Sequence, residues 1–343
     1  MSKKKILITG GCGFIGYNFV KKCIEFNIPF LVVDDLRYSS NKFASDMLKK
    51  KNLLEKIDIS DKKIGEIIKN FSPNIVVNFA AESHVDRSID NSDIFVKTNI
   101  LGVHNLIEIC MKNLKNFKFI HISTDEVFGS LNKNSLKSKE DDKYDPSSPY
   151  SSSKAAADLL IKSWQKTYNF PSIIIHPTNN YGPWQFPEKL IPLSILKILT
   201  NKKIPIYGTG TNVREWLHVD DCVDAILSII ERGKVGESYN VGSGEQVTNI
   251  DIAKKIIKIL RPQTKDCFDL IDFVDDRPAH DIRYQLNLSK TQNYIDWRAR
   301  IFISTGIKKT TDWYVSNLDW LKSYENEIGI INRIGKNKIT RNI

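Results

Sequence analysis

Through the first half of the chain, short apolar runs alternate with longer stretches whose apolar residues recur at helical spacing. The runs Lys5–Ile8, Phe30–Val33, Ile75–Phe79, Lys118–Ser123 and Ser172–His176 read as strands. Between them, Phe14–Phe26, Lys62–Asn70, Ile94–Met111 and Ser152–Tyr168 read as helices. Repeated strand-helix-strand units predict a parallel, doubly wound α/β sheet with helices on both faces. Proline and glycine become frequent from Pro177 through Gly210, where a change of domain is expected. Two further helices are expected beyond it, over Val219–Glu231 and Asn249–Leu260, with short strands around them. The last stretch, Asp312–Ile343, is polar and rich in Lys and Asn, and predicts a helix running into a tail. No internal repeat and no low-complexity segment interrupts this order.

Composition narrows the class. A chain of 343 residues corresponds to two domains at about 150 residues each. With 41% apolar and 26% charged residues, disordered, collagenous and coiled-coil chains are excluded. The five cysteines, Cys12, Cys23, Cys110, Cys222 and Cys267, are widely spaced with no C-x-x-C pair. Neither a zinc site nor a disulfide framework follows, and no metal is expected. The basic start Met1-Ser2-Lys3-Lys4-Lys5 leads only to Ile6-Leu7-Ile8 before Thr9-Gly10-Gly11, too short for a signal sequence. No stretch is read as approaching the roughly 20 apolar residues of a membrane span, so a reduced, cytoplasmic protein is expected. The net charge of +10 invites a nucleic-acid reading. Its lysines are scattered, however, with small clusters at Lys3–Lys5, Lys49–Lys51 and the C-terminal tail, and no basic patch forms on one element.

Gly10, Gly13 and Gly16 stand at G-x-x-G-x-x-G spacing, directly after the first strand and opening the first helix. That context marks a dinucleotide-binding turn of Rossmann type. Gly10 permits the tight turn, Gly13 the approach of a pyrophosphate, and Gly16 close packing of helix on strand. Phe14 and Ile15 complete the turn, whose helix terminus offers free N–H groups to phosphates. Asp34 ends the second strand, near the offset of a ribose-binding acid, followed by Asp35, Leu36 and Arg37. A carboxylate there accepts from both ribose hydroxyls and repels a 2′-phosphate, which favours NAD over NADP. Arg37 argues mildly the other way, as a receiver for such a phosphate.

Tyr150 and Lys154 have the Y-x-x-x-K spacing that puts two side chains on one helix face. The ammonium is expected to favour phenolate at Tyr150 and to lower its pKa toward working pH, which makes it a base for a sugar hydroxyl.

At these residues the chain resembles the extended short-chain dehydrogenase/reductase family and, within it, the nucleotide-sugar 4,6-dehydratases. The resemblance is carried in order by ITGGCGFIG, NFAAESHVDRSID, KTNILGVHNLIE, HISTDEVFG, PSSPYSSSKAAAD, NNYGPWQFPEKLIP, REWLHVDD, ESYNVGSGE and DDRPAHDIRY, from Ile8 to Tyr284. Its informative segment is Ser123–Gly129, at the end of the fourth expected strand, where open α/β sheets face their ligand. Epimerases and simple dehydrogenases of the family need only a hydroxyl there. The adjacent Asp125 and Glu126 suit a reaction with a further proton to remove and a hydroxyl to expel.

The resemblance implies a cycle in which Tyr150 takes the proton of the sugar 4-hydroxyl, assisted by Thr124 and Lys154, as a hydride leaves C4. Glu126 then removes the C5 proton, Asp125 protonates the departing 6-hydroxyl, and the hydride returns to C6. It implies tightly held NAD and, as substrate, dTDP-glucose. Around the cofactor it implies Asp58, Ile59, Ala80, Ala81, Thr98 and Asn180, besides the glycine turn. Around the substrate it implies Ser83, Thr124, Asn179, Lys189, Leu190, Pro205, Tyr207, Arg214, Asn240, Asp276, Arg277 and His280. His84 is read as structural, and Trp184 is singled out among the tryptophans as a candidate base-stacking platform. The implied architecture is an NAD-binding domain over residues 1–178, rejoined by segments near 210–245. A smaller α/β nucleotide-sugar domain spans mainly residues 179–330, followed by a polar tail over 331–343. A homodimer built through the helices near Tyr150 and Ile94–Met111 is implied as well.

The departures are Phe128 and His218 where the family often has tyrosine, and Ala279 where it often has glycine. Two other readings stand beside this one: another NAD-dependent nucleotide-sugar modifier (a UDP-glucose 4,6-dehydratase, a UDP-sugar epimerase or a decarboxylase), and a non-catalytic NAD-binding protein. Asp125-Glu126 argues against the epimerase and decarboxylase, and the intact Thr124, Tyr150 and Lys154 against the non-catalytic protein.

Overall fold

The structure is a computed structural model that describes residues 4–132 and 134–324. The tail expected over 331–343 lies outside the described residues, as does part of the helix expected to lead into it.

Twelve strands run in chain order: β1 Ile6–Thr9, β2 Phe30–Asp34, β3 Leu54–Lys56, β4 Ile75–Asn78, β5 Lys118–Ile122, β6 Ser172–Pro177, β7 Asn179–Tyr181, β8 Ile204–Tyr207, β9 Val213–His218, β10 Ser238–Val241, β11 Gln246–Thr248 and β12 Ile271–Val274. The helices used below are α1 Phe14–Glu25, α2 Lys42–Lys50, α3 Ile64–Phe71, α4 Val85–Asp90, α5 Asp93–Asn113, α6 Pro149–Tyr168, α7 Leu190–Leu199, α8 Val219–Arg232, α9 Asn249–Leu260 and α10 Ile303–Ser316.

Seven strands form one parallel sheet in the order β10-β6-β5-β4-β1-β2-β3. The strand order reverses between β1 and β4, which opens a crevice at the carboxyl ends of those strands. β1, β4 and β6 are buried along their whole length, as expected of strands covered on both faces. One face carries α1 and α8, with Phe19, Val20, Cys23, Ile226 and Ile229 in its core. The other carries α3, α5 and α6, with Ile68, Val103, Leu106, Ile107 and Ile161. Each of these large side chains contributes about 2 kcal/mol by leaving water. Separate apolar clusters gather α7, α9 and α10, and then β8 with Ile257 and Ile271.

Two elements lie outside the pattern first read from the sequence. The nine-residue α2 begins where the Asn41 side chain accepts from Ala44 N. β3 has only three residues, too few for a periodic signal. α6 starts earlier than the Ser152 expected for it. Ser148 Oγ accepts from Ser151 N, Ser151 Oγ accepts from Ser148 N, and Pro149 takes the first turn. This brings Tyr150 into the helix.

α5 corrects a second expectation. It is 21 residues long, and by length and composition apolar enough to cross a membrane. Val103, Leu106, Ile107 and Cys110 spend its apolar face on the sheet core. Its turn over Val96–Gly102 is π-helical, a widening often found at functional sites, and it faces Thr98 and Asn99 inward. Asn99 is locked there: Nδ2 donates to Glu82 O at 2.9 Å and to Ser153 Oγ at 2.8 Å, and Oδ1 accepts from Glu82 N at 2.9 Å.

Candidate active site

The crevice begins at the glycine turn. Gly10 has φ of +69°, and a Cβ on it would lie 2.5 Å from Ala80 N. A Cβ on Gly16 would lie 2.2 Å from Gly10 O, so the helix can sit this close to the strand only without a side chain. Gly13 caps α1 with no side-chain hydrogen bond, which leaves first-turn amides open. Beside the turn is a cavity lined among others by Gly10, Gly13, Asp34, Asp35, Arg37, Asp58, Ile59, Ala80, Ala81 and Thr98. Phe14 and Ile15 instead pack on the core. Leu36 faces a neighbouring pocket with Tyr38 and Arg87.

Asp34 accepts from Cys12 N at 2.9 Å and from Leu36 N at 2.8 Å. Burial raises its pKa, and these amides pull it back. Arg37 is not available as a phosphate receiver. Its guanidinium donates to Glu82 at 2.7 Å, Thr98 at 2.9 Å and Asp58 at 3.0 Å, and its Nε to Asp35. A cradle that any Cβ would fill, bordered by an acid at the ribose position, fits NAD.

At the end of β5, Thr124 opens a tight turn over Asp125–Phe128, where its hydroxyl accepts from Glu126 N at 3.3 Å and donates to Asp125 Oδ1 at 3.3 Å. Asp125 is 2% exposed, and its Oδ2 has no hydrogen-bond partner among the described residues. The two carboxyls experience different fields. Burial lifts Asp125 well above the carboxylate range, and Glu126 and Glu215 add to that. Burial lifts Glu126 as well, but Arg277, Arg214 and Lys189 oppose it. Asp125 is therefore the carboxyl that keeps its proton, and Glu126 the one that gives it up first.

Tyr150 follows a different course from that expected. Burial and the Glu126 charge push its pKa up, with the Thr124 hydroxyl opposing. Lys154 does not offset this rise, because its Nζ donates to Ile122 O at 2.7 Å and lies 3.3 Å from His121 Nε2. Burial takes Lys154 down to about 8, with Asp158 working against the fall.

A second cleft runs from Glu126 across the smaller half of the molecule. Ser83, Asn179, Lys189, Leu190, Pro205, Tyr207, Arg214, Arg277 and His280 line it. Asn180, expected on the cofactor side, lines this cleft too. Asn240 does not: it is fully buried, donating to Ser138 O and Asn287 O. A third asparagine on the cleft, besides Asn179 and Asn180, is Asn249 at the start of α9. Asp276 stands behind the lining, 2.6 Å from His280 Nδ1. Ala279 takes φ of +50°, a left-handed conformation that favours glycine. Trp184 sits in an aromatic cluster with Tyr17, Phe43, Trp313 and Trp320, and the tryptophan on the cleft is Trp216. His84 caps α4 and is held neutral by burial.

Sequence reasoning missed the residues that hold the lining. Asp86 accepts from Tyr207 OH at 2.6 Å and from Arg277 Nη1 at 3.4 Å. Glu188 accepts from Tyr38 OH at 3.0 Å and from Arg87 Nε at 3.3 Å. The available signal was position: Asp86 and Arg87 fall inside NFAAESHVDRSID, and Glu188 precedes Lys189.

Residues 7–310 match the family model described as GDP-mannose 4,6 dehydratase. A probable dTDP-glucose 4,6-dehydratase of Sinorhizobium fredii is 42% identical over 346 residues, covering 96% of this chain and 98% of the relative. The dTDP-glucose 4,6-dehydratase of Neisseria gonorrhoeae is 40% identical, covering 92% and 96%. Among solved structures, the dTDP-glucose 4,6-dehydratase of Bacillus anthracis in complex with NAD superimposes with a TM-score of 0.83 at 39% identity, covering 93% and 99%. The Streptomyces venezuelae enzyme DesIV, a dTDP-glucose 4,6-dehydratase with NAD and TYD bound, gives 0.85 at 34%, covering 92% and 98%.

Proposed function

The chain belongs to the GDP-mannose 4,6-dehydratase family, and on that premise we propose the following account of how it converts dTDP-glucose to dTDP-4-keto-6-deoxyglucose. It is a hydro-lyase, and NAD is its cofactor. Bound along the glycine turn, NAD supplies the hydride acceptor at the first step and the hydride donor at the last. The observation that carries the reading is the unequal pair Asp125 and Glu126, set beside Thr124 and Tyr150.

Tyr150 removes the proton of the 4-hydroxyl, with Thr124 hydrogen-bonded to that oxygen. The ketone formed at C4 acidifies C5–H, and Glu126, whose rise on burial is opposed by Arg277, Arg214 and Lys189, takes that proton. Asp125, held protonated, gives its proton to the 6-hydroxyl as it departs. After the hydride reaches C6, Glu126 returns a proton to C5. The pyrophosphate is bound by Arg277, which Asp86 fixes, with the charge of Arg214 beside it, a side chain anchored on Val213 O and Asp281 O. Asn179, Lys189, Leu190, Pro205, Tyr207 and His280 surround the rest of the nucleotide.

The same reading divides the chain into a cofactor domain over residues 1–178, rejoined later by β10, and a nucleotide-sugar domain mainly over 179–330. The separate apolar clusters around α7, α9 and α10 support that division. A cytoplasmic homodimer joined through α5 and α6 is part of the proposal, supported by the exposed Val96, Leu101 and Leu159.

The test is incubation of the purified protein with dTDP-glucose and, separately, UDP-glucose, without added NAD. Loss of water from dTDP-glucose supports the reading. Dehydration of UDP-glucose alone would move the base preference, and turnover of neither sugar would end it.

A further inference from the structure

The nucleotide side of the site and the start of the catalytic helix meet on one carboxylate oxygen. Asp281 directly follows His280 and is 7% exposed. Its Oδ2 accepts from both Ser147 Oγ and Tyr284 OH. Tyr284, 2% exposed, lines the cleft together with Glu126. The Arg214 guanidinium lies over its ring, 4.6 Å from the centroid. Ser147 directly precedes Ser148, the cap from which α6 runs through Pro149 to Tyr150.

The main chain around Asp281 is tied down as well. Asp281 O accepts from Arg214 Nη2 at 3.0 Å and from Asn212 Nδ2 at 3.1 Å. Ile282 N donates to Ser130 Oγ at 2.9 Å, and Ile282 O accepts from Val213 N at 2.8 Å. Arg283 O accepts from Leu131 N at 2.9 Å. Residues 281–283 therefore join three parts of the site: β9 with Arg214, the segment after the Asp125–Phe128 turn, and the start of α6. A carboxylate oxygen only accepts, and it can take two hydroxyl donors at once. Hydrogen bonds to a charged acceptor are roughly twice as strong as neutral ones.

We propose, on the reading above, that Asp281 is a positioning residue that couples the nucleotide site to the catalytic helix. The pyrophosphate draws on the charge of Arg214, Arg214 rests on Tyr284 and on Asp281 O, and Asp281 Oδ2 holds Ser147. A filled nucleotide site thereby seats Tyr150 against the sugar 4-hydroxyl. Binding energy from the part of the substrate that does not react goes into orienting the part that does. Asp281 acts through these neighbours and exchanges no proton with the substrate.

The test is steady-state turnover of dTDP-glucose, unlabelled and deuterated at C4, by the NAD-loaded protein. It compares wild type with Ser147→Ala, Tyr284→Phe, the double variant and Asp281→Asn. Each single hydroxyl deletion should lower kcat ~tenfold and enlarge the isotope effect, because the step that breaks C4–H becomes slower. In Ser147→Ala, KM should stay within about threefold of wild type, since Arg214 and Arg277 still hold the nucleotide. The double variant should lose no more kcat than either single one, because both hydroxyls act through the same oxygen. Asp281→Asn should match the double variant, and the two hydroxyl deletions decide the matter should the asparagine disturb folding. Unchanged kcat in Ser147→Ala, losses that multiply to ~hundredfold in the double variant, or a lower kcat with an unchanged isotope effect would overturn the coupling. Each of these outcomes leaves the dehydratase reading intact, whereas a wild type that turns over no dTDP-glucose would remove both.

Discussion

Lys154 Nζ lies 3.3 Å from His121 Nε2, and the same imidazole nitrogen is 3.6 Å from Asp158 Oδ1. All three side chains are buried. Asp158, one turn beyond Lys154 on α6, also accepts from Ser123 Oγ at 2.5 Å and from Tyr144 OH at 3.2 Å, and lies 3.3 Å from His176 Nε2. His121 is held neutral by burial, and Asp158 is the anion that works against the downward shift of Lys154. A lysine with a pKa of about 8 is charged below that pH and loses its charge above it. Activity that needs the ammonium should fall on an alkaline limb near pH 8. Asp158→Asn removes the opposing charge, so the limb should move to lower pH; the same charge also raises His121, Tyr144 and Tyr150, which therefore fall with it. The pH profile of kcat/KM measures it, and an unmoved limb would free Lys154 from Asp158.

Glu126→Gln keeps the hydrogen-bonding shape and removes the base. Reduced cofactor should accumulate at its near-ultraviolet absorbance when dTDP-glucose is added, while release of water slows by ~100-fold or more. Full activity in this variant would take the C5 proton away from Glu126.

Gly16→Ala introduces a Cβ 2.2 Å from Gly10 O, against rigid backbone. The helix must move off the strand, at a cost of about 1–3 kcal/mol. The purified variant should melt earlier and carry less NAD, both read directly by thermal denaturation and by cofactor extraction.

Asp86→Asn leaves Tyr207 OH a partner but removes the charge that holds Arg277. One charge-assisted bond is worth about 1.5 kcal/mol, which is roughly tenfold in binding. KM for dTDP-glucose should rise by about that factor, with kcat nearly kept. A fall in kcat with KM unchanged would place Asp86 in the chemistry instead.

What could be read from the sequence depended on whether the physics was local. The glycine turn declares itself because Gly10, Gly13 and Gly16 act within one strand-turn-helix unit, and the sheet strands because continuous apolar runs mark double-faced burial. The start of α6 was equally local, but the signal was a Ser148–Ser151 capping box that runs into a serine-rich stretch. The direction of the Tyr150 shift was beyond reach, because Ile122 and His121, which hold Lys154, come from β5. Asn240 lies within β10 and Asn249 opens α9. Only the packing of Asn240 against Ser138 and Asn287 distinguishes the structural residue from the one on the cleft. Arg37 seemed a phosphate receiver because its partners Asp58, Glu82 and Thr98 are distant in sequence.

The central claim is that one hydride leaves C4 and returns to C6 of the same sugar within a closed site. Its most direct measurement uses dTDP-glucose deuterated at C4, incubated with the purified protein without added NAD, with the product analysed by mass spectrometry and NMR. The account predicts a product that has lost one water and carries the deuterium at C6. A product without the label, or an unchanged substrate, would contradict it.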